Sequence, residues 1–175
     1  MTARSAPAAP PDLLPCPCGR TLPYAACCGR YIDHWEGAPA PDAESLMRSR
    51  YTAFVRERAD YLLATWHASH RPAQLDFEAG VRWLGLQLRS HRVLAPHSAE
   101  VEFVARSRAG GGPAHRLHER SRFVREDDGR WYYVDGDVLG VKSGPGARQS
   151  SASSYQYRSD IQPHDMAPMS CAKMG

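Results

Sequence analysis

The sequence predicts an α+β domain in which a curved antiparallel sheet packs on helices that precede it. Three observations carry this. Residues 42–67 place apolar side chains at helical spacing, the period changes to two after residue 76, and a Gly-Gly-Gly-Pro run and an Asp-Gly pair punctuate the alternating segments. Helices segregated from an antiparallel sheet define the α+β class, whereas helices alternating with strands would give a parallel sheet. At 175 residues, 42% hydrophobic and 23% charged, the chain suits one domain with small appendages and has a globular composition.

Taken in order, residues 1–14 are rich in Ala and Pro and read as a disordered leader. Four cysteines follow within residues 16–28, and residues 29–41 read as a connection containing Gly37, Pro39 and Pro41. The main domain is expected over residues 42–140. Asp42 is the expected N-cap of its first helix, with Glu44 favourable to the dipole in the first turn. Met47, Tyr51, Phe54 and Val55 form one apolar stripe, Arg50 borders it, and Arg48, Arg56 and Glu57 point elsewhere. Asp60 reads as the N-cap of a second helix over Tyr61–His67, stopped by Pro72.

The strands then follow from alternation. Leu84, Leu86 and Leu88 share one face of the first strand, and Val101, Phe103 and Ala105 share one face of the second. In the third, Leu117, Glu119, Ser121 and Phe123 face one way while His118, Arg120, Arg122 and Val124 face the other. Asp128-Gly129 predicts a hairpin into Trp131-Tyr132-Tyr133-Val134-Asp135, closed near Gly136. A curved sheet with helices on its concave side encloses a cavity. Residues 143–175 read as a disordered tail carrying Cys171 as a free thiol.

The sharpest chemical signal is Cys16-Pro17-Cys18 followed, after a turn-prone spacer, by Cys27-Cys28. Zinc takes four soft or borderline ligands in a tetrahedron, and a site closed by four thiolates is structural because no position is left for water. Pro17 restricts the backbone between the first pair, and Gly29 permits a kink after the second. Two disulfides or idle thiols are the competing reading, and His34 is a rival fourth ligand.

Cys16-Pro-Cys18-Gly, Tyr24 and Cys27-Cys28 together resemble the SEC-C motif, the zinc knuckle at the carboxyl end of the SecA translocation motor. That resemblance implies a knuckle over residues 15–35 holding one structural Zn2+ through Cys16, Cys18, Cys27 and Cys28. Arg20 and Pro23 stand where the motif usually has Ser and a basic residue. Further along, Leu46-Met47-Arg48-Ser49-Arg50-Tyr51, Ala53-Phe54, Asp60-Tyr61-Leu62, Thr65-Trp66-His67, Val101-Glu102-Phe103, His118-Glu119-Arg120-Ser121 and Trp131-Tyr132-Tyr133-Val134-Asp135-Gly136 resemble the YchJ family. This is a bacterial family of unassigned function, and the resemblance spans roughly residues 15–138. It implies a SEC-C knuckle ahead of a nuclear-transport-factor-like, cystatin-like cone, and no particular reaction.

Beyond the cysteines, Glu119 on the inner strand face needs a partner or a raised pKa, and Arg50 is its expected ion-pair partner. With His67 and Asp135 these residues are the candidates for a pocket in the cone, where a small enzyme or ligand-binding protein would place acid/base groups; no nucleophile–base pair is readable from spacing, so the reading leans against an enzyme. Of 22 basic residues all but Lys142 and Lys173 are arginine, and Arg120, Arg122 and Arg125 near Trp66, Trp83, Trp131, Tyr132 and Tyr133 keep weak RNA binding as a minor alternative. The net charge of +3 is mild, and nucleic acid is not the expected partner. No apolar run approaches membrane-spanning length and no signal-peptide core is present, so a cytoplasmic location without membrane contact is expected. The leading expectation is a zinc-binding protein whose knuckle contacts another protein.

Overall fold

A computed structural model describes residues 14–143; most of the expected leader and tail, with Cys171, lie outside these residues. The element order is α1 (Gly29–Ile32), α2 (Ala43–Val55), α3 (Ala59–Ala64), then β1 (Val81–Ala95), β2 (Ser98–Ala109), β3 (His115–Arg125) and β4 (Trp131–Ser143). The strands form one antiparallel meander in the order β1-β2-β3-β4, and the helices cover one face of this curved sheet. The α+β class expected from the change of period is therefore the class observed.

Asp42 caps α2 as expected, its carboxylate accepting the Ser45 N–H at 2.6 Å. Met47 and Tyr51 are buried against the sheet, and Tyr51 meets Trp83 edge-on at 5.5 Å between ring centroids. Arg48 and Arg56, which point away from this stripe, contact the cysteine knuckle, which covers the second side of α2; Arg48 is half-buried there, and Arg56 stacks on Tyr24 while staying exposed.

Four local details differ from the sequence reading. The connection after the cysteines contains the single helical turn α1. Asp60 is not an N-cap: Arg58 occupies that position, and Asp60 sits in the first turn, where its carboxylate accepts from Arg58. The helix also ends earlier, at Ala64, with Thr65 as its C-cap, whose hydroxyl donates back to the Tyr61 carbonyl at 2.7 Å. Trp66 and His67 instead leave the helix to meet the sheet, with the His67 N–H donating to the Tyr133 carbonyl at 2.8 Å.

In the sheet, the inner residues Val101, Phe103, Ala105, Glu119, Ser121 and Phe123 are buried, as the alternation predicts. Leu84 does not share the face of Leu86 and Leu88. A register shift between Trp83 and Gly85 inserts an extra residue, so Trp83 packs inward and Leu84 stands 41% exposed. Strand β4 also runs past Gly136 to Ser143 and pairs with β3 along its whole length. The hairpin at Asp128-Gly129 forms as expected, with Gly129 at a φ of 76° that suits glycine.

The bulge makes a testable distinction between two leucines separated by one residue. Leu86→Ala should cost roughly 2 kcal/mol in denaturant unfolding because Leu86 packs against the core. Leu84→Ala should stay within about 0.5 kcal/mol. Equal losses would show that the register shift is absent.

Candidate metal centre

The cysteine segment is shaped by a short antiparallel contact. Pro15 bridges Pro23, the Cys16 N–H donates to the Leu22 carbonyl at 2.9 Å, and the Tyr24 N–H donates to the Leu14 carbonyl at 3.0 Å. Gly19 reverses the chain after Cys18 at a φ of 84°, where a side chain would be strained. Tyr24 then fills the centre of the knuckle; it is fully buried, and its hydroxyl donates to Asp33 at 3.0 Å. Gly29 does not provide the expected kink. It opens α1, and it must be glycine because an added Cβ would lie 2.8 Å from the Tyr24 carbonyl oxygen.

These constraints bring Cys16, Cys18, Cys27 and Cys28 together as free, buried thiols whose Sγ atoms all lie within 4.8 Å of one another. Cys18 and Cys27 approach to 3.6 Å between sulfurs. A metal about 2.3 Å from each sulfur sets tetrahedral edges of about 3.8 Å, so the cluster matches a tetrathiolate site in number, chemistry and spacing. His34 lies on the surface outside this group, and among the described residues no other cluster of three or more metal-ligating side chains occurs. The fit to a metal ion thus rests on the four thiols alone.

The electrostatics agree. Hydrogen bonds with Cys18 and Cys28 pull the Cys16 thiol far below its ordinary range, while burial pushes Cys27 up to about 12 and hydrogen bonds with Cys16 and Cys18 raise Cys28. A dication among the sulfurs would favour ionisation of all four thiols in this buried place. Helix α2 forms the floor. Thr52 Oγ1 lies 3.7 Å from Cys16 Sγ, Arg48 donates to the Cys18 carbonyl at 2.9 Å, and Arg56 stacks 3.8 Å over the Tyr24 ring. Sequence reasoning missed this floor, although the spacing 48, 52, 56 marks one helix face.

The four pocket candidates do not converge. Glu119 and Arg50 lie in the core between sheet and helices, whereas His67 and Asp135 lie at the surface. Glu119 is 8% exposed, its Oε1 accepts from Ser121 at 2.7 Å, and a Cβ at Gly136 would overlap its carboxyl carbon. The expected Arg50–Glu119 ion pair is not made among the described residues. The Arg50 guanidinium donates instead to the Leu62 carbonyl at 2.7 Å and Thr65 Oγ1 at 2.9 Å. It stacks between Trp66 and Tyr133, at 5.0 and 4.6 Å from their centroids, and reaches Glu119 only as a charge. The geometric reason is that α3 ends directly over Arg50 and presents it with unsatisfied carbonyls.

His67 pairs with Glu126 at 3.1 Å and with the Ser69 hydroxyl at 2.6 Å, and Asp135 pairs with Arg122 on the outer sheet face at 2.5 Å. His118 bonds Glu102 at 2.7 Å on that same face. A shallow cleft of about 20 Å³ lies between Trp35, Leu46, Tyr61, Thr65, Arg130 and Trp131, away from Glu119. The aromatic residues considered for base stacking are mostly packed inside, and Arg122 is taken by Asp135 and Asp137. No helix of the described residues is long and apolar enough to cross a membrane.

Comparison with known proteins now adds to this geometry. A family model described as the middle, nuclear-transport-factor-like (NTF2-like) domain of YchJ matches residues 42–136. A UPF0225 protein of Polaromonas sp. is 67% identical over 138 residues, spanning 74% of this chain and 99% of its own. A UPF0225 protein of Methylibium petroleiphilum is 62% identical over 126 residues, 71% of this chain and 89% of its own. The solution structure of a SEC-C motif containing protein from Rhodopseudomonas palustris is 32% identical and superposes with a TM-score of 0.62, covering 73% of this chain and 100% of that one.

Burial raises the Glu119 pKa above the ordinary carboxylate range, outweighing the pull of Ser121, Arg50, Tyr133 and Arg122. The native state therefore keeps this proton longer than the unfolded chain, and stability falls as pH rises above the ordinary carboxylate range. Glu119→Gln should melt with wild type near the acid end of a pH series and increasingly above it towards neutrality. A gap that does not widen with pH would show that Glu119 is ionised in the native protein.

Proposed function

The chain belongs to the YchJ-like UPF0225 family, and from that premise we propose that it is a zinc protein whose metal-stapled knuckle serves contact with another protein. The observation that carries the reading is the convergence of four free thiols on one tetrahedron-sized site. Cys16, Cys18, Cys27 and Cys28 would hold the ion, and a dication supplies the charge that lets all four ionise in a buried place. With four thiolate ligands no position is left for a substrate, so the metal's role is structural. Arg20 and Arg48 lie beside the site and share Glu44, leaving one net positive charge against that of a tetrathiolate.

The SEC-C label of the R. palustris protein supports carrying the metal over to this chain. Support for a protein partner comes from the outer surface of the knuckle. Leu14 and Leu22 flank the Pro15–Pro23 bridge, and each is 48% exposed. Two large apolar side chains on a segment too short to form its own core suit a small protein contact. A compartment without disulfide formation keeps the thiols available to metal and fits a cytoplasmic location.

Elemental analysis of untagged protein expressed with ample zinc should find close to one equivalent. Cys27→Ser should lose most of it, and chelation of the wild type should lower its melting temperature as the folding energy tied to the metal is removed. Less than about half an equivalent, or zinc content unchanged by Cys27→Ser, would refute the ligand set. For the partner, Leu14→Ser/Leu22→Ser should abolish the knuckle-dependent interactions lost by the four-cysteine variant while retaining zinc. Retention of those interactions would move the contact elsewhere.

A further inference from the structure

The outer face of the sheet, opposite the helices, carries charged side chains at both ends, and the two ends are built by different rules. Cross-strand partners point to the same face, so the register reads this surface in rows. Toward the β1–β2 turn, signs alternate: Arg92, Glu100, Arg122 and Asp135 make one row, and Glu102, Arg120 and Asp137 the next. Ion pairs join these rows, Arg92 with Glu100 at 3.7 Å, Arg120 with Glu102 at 3.6 Å and Arg122 with Asp135 at 2.5 Å. Next comes the row Gln87, Val104, His118 and Gly140, whose histidine is held by Glu102.

Beyond it the alternation stops. Arg106, Arg116 and Lys142 stand side by side on β2, β3 and β4, and one row further Arg82 stands opposite Arg108. No acid interrupts these two rows. Arg82, Arg106, Arg108 and Lys142 are exposed and Arg116 is half-buried. Among the described residues none of the five takes part in an ion pair. Like charges placed directly opposite destabilise a strand pair. The same sheet places acids between arginines at its other end, so repulsion here is a local departure from its own pattern.

We propose that this cationic end of the outer face binds the phosphodiester backbone of a nucleic acid. Four of the five cations are arginines, whose planar fork takes phosphate oxygens in pairs. Neighbouring strands lie about 4.8 Å apart, so the row of three spans about 10 Å, and the second row lies roughly 7 Å along the strands. A grid of that size meets successive phosphates of one chain better than it meets an isolated carboxylate. No aromatic side chain stands in these two rows, so the contact is to the backbone and independent of base sequence. The surface is separate from the arginines that the alternation at the other end neutralises. It also lies on the opposite side of the sheet from the helix layer, so it does not depend on the zinc reading.

The test is fluorescence anisotropy of full-length protein with a labelled RNA strand of about 20 nucleotides and with a DNA duplex of equal length, across a salt series. For the single strand, log affinity should fall against log salt with a slope of about −3, as five or fewer phosphates are neutralised. Arg106→Gln/Arg116→Gln should weaken binding about tenfold or more and flatten the slope by about 1.4. Lys142→Gln should flatten it by about 0.7. Arg120→Gln/Arg125→Gln removes the same net charge from outside the patch and should leave affinity within about twofold, since the contact is local. Binding of either nucleic acid with this pattern supports the proposal, and comparing the two identifies the preferred backbone. Absence of binding at low salt, equal losses in the two double variants, or equally tight binding of polyglutamate or of phosphatidylglycerol vesicles would overturn it.

Discussion

Helix α2 is buried on two sides, and that constraint organises the structure. Nine of its thirteen residues are buried, including Ser45, Ser49, Arg50 and Thr52. One side carries Met47 and Tyr51 into the sheet, and the other carries Arg48, Thr52 and Arg56 into the knuckle. A surface helix keeps one polar face in water, but here the polar face is itself an interface, and its polar groups must find partners. They do: the Ser49 hydroxyl reaches the Leu46 carbonyl and Tyr61, and Arg48 reaches a carbonyl next to a metal-site sulfur. Cysteine and sheet residues consequently belong to one continuous apolar cluster. The cysteine cluster is therefore coupled to the body through α2, and what fixes the knuckle also fixes the second face of the helix.

The buried charges follow from the same arrangement. Arg50 lies under the end of α3, where the helix leaves carbonyls unpaired, and satisfies the Leu62 carbonyl and Thr65. Burial lowers its pKa to about 10, still well above neutral pH, so the charge persists and is held between aromatic faces. Glu119 lies in the same core without direct contact, and burial favours its neutral form, so the Arg50 charge is answered by carbonyls and rings rather than by a carboxylate. This pair has the arrangement of a structural plug, with Gly136 kept small so that the carboxyl group fits against β4. The cleft lined by Trp35, Thr65 and Trp131 includes neither group.

The sequence was most legible where one periodicity had one cause. The alternation in β2 and β3 identified their buried faces, Asp42 announced the start of α2, and the paired cysteines of residues 16–28 announced their own cluster. It was least legible where a tertiary partner overrode a local signal. The bulge at Gly85 turned Leu84 outward, although three leucines in alternation looked like one stripe. Thr65 ended α3 before Pro72 could, and Trp66 was drawn to Tyr133 across the sheet, at 5.1 Å between ring centroids. Arg50 chose carbonyls over a carboxylate because helix ends are not visible as acceptors in a sequence. The same limitation hid the floor of the metal site, since Arg48 and Arg56 look solvated until the knuckle is placed against them.

The two faces of the sheet show how far charge placement can be read as design. On the inner face each ionisable group is buried and answered, Glu119 by Ser121 and Arg50 by carbonyls and rings. On half of the outer face, arginines and acids alternate strand by strand, as a solvated sheet surface does when nothing else is asked of it. Composition cannot separate these regimes, because the net charge of +3 averages over both. Register can, since it decides which side chains stand opposite one another. The unmatched cations near Arg106 and Arg116 become visible only when β2, β3 and β4 are aligned. Their meaning comes from the alternating rows further along the same strands, which serve as an internal reference built from the same residue types on the same surface.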